Sequence, residues 1–157
     1  FQATDLSGVN FRDAGIHDSS MLFIILDNAD LQRSVFGPNV EFSSFSMKNT
    51  NAGYTHFMEC QFLDFDFQNT LFDHVSFTDV TFAKSNMIKV SMEYSRIINT
   101  TFTSINLSDS NWRYVHCQNC IFDRVNFMNA DFSYATFIES DFTNAIITEG
   151  QLKQMKS

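Results

Sequence analysis

Cys117-Gln118-Asn119-Cys120 is the one place where two cysteines of this 157-residue chain stand at the spacing of a redox couple or of half a zinc site. Zinc needs two more ligands, and a redox couple needs a way to its substrate. His56 and His116 stand a multiple of twenty residues apart, as do the carboxylates Glu59, Asp79 and Glu139. Paired carboxylates do acid–base work only where a cleft perturbs them. All four tyrosines, Tyr54, Tyr94, Tyr114 and Tyr134, also fall on a twenty-residue spacing, and His74 fills the gap. A row of tyrosines is suited to recognition, because the side chain offers a large contact area at low entropic cost. There is no Gly-x-Ser-x-Gly turn, and the five glycines form no phosphate-cradling loop.

What positions these residues is a beat of five. An apolar residue returns at Phe1, Leu6, Phe11, Ile16, Met21, Leu26, Leu31 and Phe36, slips by one at Gly37-Pro38-Asn39, and resumes at Phe42. From there it runs every fifth residue to Ile147, and its 30 positions hold 16 of the 19 phenylalanines. A second beat of small or β-branched residues lies two positions earlier, with Phe45 and Phe65 as its only large members. Five is neither a helical nor a simple strand period. It describes a chain that turns a corner every five residues, points two side chains inward and leaves three in water. Four sides close a coil of 20 residues, and coils stack at about 4.8 Å, so residues 20 apart lie above one another. Phe42, Phe62, Phe82, Phe102, Phe122 and Phe142 then form one column, and Phe57, Phe77, Ile97, Cys117 and Phe137 another. Seven coils make a rod of about 35 Å. Thr148-Glu149-Gly150-Gln151 matches a capping box, with Leu152 and Met155 spaced to cover the bore. The expected division is therefore a β-helix over 1–147, with a one-residue bulge at 37–39, and a helical cap over 148–157.

This frame sorts the candidates. Cys117 and Cys120 both fall on inward beats, so they read as core packing, with no metal and no cofactor. Cys60 shares a column with Cys120 but lies three coils away, about 14 Å, too far for a disulfide. Three cysteines are too few for a disulfide framework, which favours a reducing compartment. His56 and His116 are separated by Ser76 and Arg96 on a solvated column. Glu59, Asp79 and Glu139 read as an acidic stripe on a rod without a cleft, so no catalytic residue is assigned. Tyr54, His74, Tyr94, Tyr114 and Tyr134 occupy one outward column; either they only stack to brace successive coils or they form a contact face. In the run Met21–Leu26, the side chains of Leu22, Phe23 and Ile25 point outward and are a second candidate interface.

Eighteen acidic residues against ten basic ones give a net charge of −8 and an acidic surface. The basic residues are scattered, which argues against direct binding of nucleic acid or an anionic membrane. No apolar run approaches the ~20 residues of a spanning helix. The chain begins on the beat at Phe1 with no visible cap. The expectation is a segment cut from a longer array, whose uncapped end needs more chain, a partner or a second copy in a homodimer.

The two beats and the intervening Asp and Asn, as in Ala130-Asp131-Phe132, resemble the pentapeptide-repeat family, whose consensus is Ala-(Asp/Asn)-Leu-x-x. The resemblance spans 1–147 and implies an all-β solenoid, a right-handed quadrilateral β-helix. It also implies a mainly bacterial setting, with soluble cytoplasmic or secreted-effector members. Two functions are expected. One is a non-catalytic rod that scaffolds or binds a protein partner as part of a larger protein. The alternative is a DNA mimic that binds DNA gyrase or topoisomerase, as a quinolone-resistance subgroup does. Duplex DNA would present roughly 20 charges over ~35 Å, against a net −8 here. The gathering of carboxylates on one side of the rod would favour mimicry.

Overall fold

The computed structural model describes residues 2–155, so Phe1, the first residue of the beat, lies outside the described residues, as do Lys156 and Ser157 of the expected cap. The chain winds into a four-sided coil whose sides stack in parallel. Face 1 centres on Met21, Phe42, Phe62, Phe82, Phe102 and Phe122, and its six strands run from Ser19–Leu22 to Ile121–Asp123. Face 4 centres on Ile16, Phe36, Phe57, Phe77, Ile97, Cys117 and Phe137, and its seven strands run from Gly15–Ile16 to Thr136–Ile138. The two faces between them are joined by single-residue parallel bridges. Face 2 is bridged through Asp66, Asn86, Asn106 and Asn126, and face 3 through Asn51, Leu71, Ser91, Asn111 and Asp131.

Partners in the ladders are 20 residues apart, as in Phe62↔Phe82 and Phe82↔Phe102. Inside, Phe42, Phe62, Phe82, Phe102, Phe122 and Phe142 stack with ring centres 4.7 to 5.0 Å apart. Neighbouring columns meet edge to face, as Phe77 meets Phe82 at 5.1 Å. Both are favoured aromatic geometries. Phe65, large where the second beat is small, stacks on Phe45 at 4.9 Å and on Phe67 at 4.8 Å, so the bore has room for it.

The second beat is polar in places yet buried. Its hydroxyls solve this locally: Ser34 Oγ donates to Leu31 O, Thr55 Oγ1 to Leu31 O, Thr50 Oγ1 to Leu26 O and Ser95 Oγ to Phe72 O. Among the described residues no buried side-chain nitrogen or oxygen lacks a partner. That matters because an unpaired buried polar group costs about 1–3 kcal/mol.

The corners are the less visible half of the design. The residue two places after each beat adopts φ between 46° and 64° on almost every side, from Asp13 to Glu139. Asn, Asp and Gly suit this left-handed geometry best, and Asn and Asp supply most corners of faces 2 and 4, including Asn28, Asn49, Asn69, Asp79, Asn99 and Asn119.

The register changes from Ser19↔Val40, 21 residues, to Phe42↔Phe62, 20 residues. Gly37 absorbs the extra residue at φ 124°, where a Cβ would lie 2.0 Å from Met58 O.

Three expectations need correction. Cys117 and Cys120 are buried in the bore, but they are joined in a disulfide with Cα atoms 6.2 Å apart. One is the beat of face 4 and the other the small beat of face 1, so the corner between them brings two inward side chains together. The spacing marks the two as a redox pair, but reading both inward positions as core packing left them unbonded. Cys60 is the free thiol among the described residues, and burial pushes it up to about 12. Second, Leu152 does not cover the bore; it is exposed, and Gln151 turns inward instead. The short helix Glu149–Leu152 starts at a capping box of Thr148 and Gln151. Gln151 Nε2 donates to Phe127 O at 2.7 Å and Ala130 O at 3.0 Å, and Gln154 Oε1 accepts from Phe132 N at 3.0 Å. Amide side chains thus pair backbone groups of the last coil, while Met155 packs on the core. Third, Glu59, Asp79 and Glu139 do not make an uninterrupted acidic stripe. Asn99 and Asn119 intervene, with Asn99 Nδ2 donating to Asp79 Oδ1 at 3.0 Å and Asn119 Nδ2 to Asn99 Oδ1 at 3.1 Å.

Candidate recognition face

Among the described residues, face 3 carries the one exposed aromatic column. Its corner positions read Asp13, Arg33, Tyr54, His74, Tyr94, Tyr114 and Tyr134, all at φ 57° to 64°. The five rings stack along the rod: Tyr54–His74 at 4.6 Å, His74–Tyr94 at 5.1 Å, Tyr94–Tyr114 at 4.7 Å and Tyr114–Tyr134 at 4.8 Å, each pair within 8° of parallel. Coil spacing alone explains this, since about 4.8 Å falls within the roughly 4.5–7 Å between centres at which offset rings stack. Half or more of Tyr54, Tyr94 and Tyr134 stays in water.

Arg113 lies beside the lower end of the ladder, its guanidinium 5.6 Å from the Tyr114 ring and 6.0 Å from the Tyr134 ring. It also bridges Glu93 at 3.7 Å and Asp131 at 3.5 Å. At the upper end Arg33 turns to Asp13, with two hydrogen bonds of 2.7 Å. The hydrogen bond from Arg33 holds the Asp13 carboxyl below the usual carboxylate range.

The other candidates are not brought together with the ladder. Phe23 is the corner of face 1 and is exposed, Ile25 is exposed on face 2, and Leu22 is half-buried on face 1. Phe23 and Ile25 rim an open depression floored by Ile24, Phe45 and Phe65. His56 and His116 lie apart in the face 4 sheet, in register with Ser76 and Arg96 between them. Carboxylates are spread evenly: faces 1, 2 and 4 carry four each and face 3 five, with Glu149 in the helix. Several are already paired, as in Arg12–Asp30, Lys48–Asp66 and Arg124–Asp123. Among the described residues no three His, Cys, Asp or Glu side chains gather where a metal could be held. No helix of the described residues is long and apolar enough to cross a membrane.

Residues 110–149 match the family model for pentapeptide repeats in eight copies. The chain carries pentapeptide repeats over 110–149, and the same four-sided coil runs through the described residues before them. No curated protein matches it. Among solved structures, trypsin-treated QnrB1, a plasmid-mediated fluoroquinolone resistance protein, is similar over 99% of this chain and 87% of its own, with a TM-score of 0.64 and 14% identity. HetL, a pentapeptide repeat protein involved in heterocyst differentiation regulation from the cyanobacterium Nostoc sp. strain PCC 7120, covers 99% of this chain and 88% of its own, with a TM-score of 0.48 and 15% identity. At such identities the likeness concerns the fold alone. The five-residue repeat accounts for the rod, and Tyr54, His74, Tyr94, Tyr114 and Tyr134 account for the ladder on face 3.

Proposed function

We propose that this pentapeptide-repeat rod is a non-catalytic protein-binding module, and that the Tyr54–His74–Tyr94–Tyr114–Tyr134 ladder is its binding face. The observation that carries the reading is the choice of side chain at the corner. A left-handed backbone disfavours a bulky residue by about 1–2 kcal/mol relative to the residues that suit it. Faces 2 and 4 mostly use Asn or Asp there, whereas face 3 spends all four tyrosines of the chain on it and leaves them exposed. Departures from local preference that persist in an otherwise consistent fold point to function. Exposed tyrosines in a continuous row are also the residue type enriched where proteins meet.

A second reading is supported by the fold likeness to QnrB1: a DNA mimic that binds gyrase, as members of that subgroup of the family do. The even spread of carboxylates over four faces, many held in ion pairs, counts against it. A homodimer through one end is compatible with either reading.

The test is capture with the intact rod and with the variant Tyr94→Asn/Tyr114→Asn, gyrase being offered as one defined candidate. Capture of a protein by the rod and its loss in the variant supports the ladder. Gyrase bound equally by both would sink the ladder as the binding face and favour mimicry.

A further inference from the structure

Beside the ladder, face 3 has a gap. The position before each corner of face 3 is occupied by Gln32, Gly53, Asp73, Glu93 and Arg113 in successive coils, and at Gly53 the row has no side chain. The result is a pit of about 330 Å³, walled by Tyr54, His74 and Tyr94 on one side and Asn51 and Leu71 on the other. That is the low end of the volumes that hold a small molecule, and suits one long side chain. The residues lining it include the carboxylates of Asp73 and Glu93 but no lysine or arginine. Asp73 Oδ1 is engaged by Ser91 Oγ and Glu93 N, Glu93 Oε2 accepts from Asn111, and Arg113 Nε lies 3.7 Å from Glu93 Oε1. Asp73 Oδ2 accepts no hydrogen bond from the described residues. Glu93 is thus already paired with a cation, while Asp73 is held in place with one oxygen to spare.

We propose that this pit receives an arginine side chain of the partner protein that docks on the ladder; the inference rests on the reading of face 3 as a binding face and names the partner's chemistry there. Two carboxylates on successive coils and the amide oxygens of Gln32 and Asn51 offer several acceptors to one planar, five-donor group. Leu71 and the ring wall offer the apolar contact that a weakly hydrated guanidinium tolerates better than an ammonium does. The Asp73 carboxylate, to which no lysine or arginine is bridged among the described residues, selects a cation, and the number of acceptors selects arginine over lysine.

The experiment uses the 157-residue chain and three peptides: acetyl-Gly-Arg-Gly-amide, its lysine counterpart and its neutral citrulline isostere. Backbone amide shifts of Gly53, Asp73 and Glu93 are followed by NMR during titration. The arginine peptide is expected to move these signals saturably and to bind at least tenfold more tightly than the citrulline peptide and several-fold more tightly than the lysine one. Gly53→Gln should abolish the response by filling the pit. Glutamine already occupies the equivalent place one coil above, and a Cβ at Gly53 meets only Asn51 Oδ1 at 3.4 Å and Asp73 O at 3.5 Å. No shift at these amides, equal binding of citrulline or lysine, or an unchanged response in Gly53→Gln overturns the assignment. The failures separate cleanly. Loss of partner capture in the ladder variant with no arginine binding removes the pit and leaves the binding face standing, whereas capture that survives the ladder variant removes the binding face itself.

Discussion

A tyrosine held at φ near 58° is an uneasy residue, and this chain holds four of them in line. Changing Tyr94 and Tyr114 to Asn relieves the backbone by about 1–2 kcal/mol per site and removes stacking worth about 0.5–1.5 kcal/mol per pair. The two nearly cancel, so the midpoint of thermal unfolding should move by no more than a few degrees while partner capture is lost. A fall of more than ten degrees would mean that the rings serve to brace the coils. Gly37 behaves in the opposite way. With φ 124° and Met58 O where its Cβ would go, Gly37→Ala should lower the unfolding midpoint by several degrees, more than 1 kcal/mol, whereas Gly15→Ala, with open space around it, should not. The sequence places the tyrosines in one column by spacing alone. It does not reveal their backbone strain, because nothing in a five-residue beat says which of the three outward positions turns left-handed; the density of Asn and Asp two places after the beat was the available signal.

At the scale of the elements, the beat identifies inward and outward positions almost throughout, since burial follows from a corner every five residues. What it cannot see is contact between different beats. Cys117 and Cys120 belong to adjacent faces, so their meeting depends on the corner and not on the column. Alkylation of denatured, unreduced protein should therefore label one cysteine, Cys60, and label three only after reduction; three labels without reduction would contradict the pairing. The cap was legible as a capping box but not in its contacts, because a glutamine in a short helix gives no sign that it will reach two carbonyls of the coil below. Gln151→Ala leaves Phe127 O and Ala130 O without that donor. It should cost about 1–3 kcal/mol and speed hydrogen exchange in coil residues 127–147 ahead of those in the middle coils. Phe102→Ala, in the centre of the stacked column, should cost about 3–5 kcal/mol, whichever end is capped.

For the whole molecule, the even spread of charge matters more than its sum. Hydrogen bonds from Arg33 to Asp13, from Asn39 to Asp18 and from Thr143 to Asp141 each lower the carboxyl below its usual value. A lowered folded value means stability that is present above the ordinary carboxylate range and is lost as pH falls through the lowered values. The rod should therefore unfold more easily in acid, from about pH 4 downward, with a small effect per site because these groups are exposed. A midpoint that rises between pH 5 and 3 would contradict that reading. The five-residue repeats make a rod with four chemically different sides at each level, of which we propose face 3 as the side a partner touches. The most direct measurement places one photo-crosslinking p-benzoylphenylalanine at each corner of a single coil, in turn at Lys84, Lys89, Tyr94 and Asn99, and records which position joins the captured partner. Cross-linking from Tyr94 and from no other corner is the predicted result. Cross-linking from Lys84, Lys89 or Asn99 with none from Tyr94 would place the partner on another side of the rod and contradict the account.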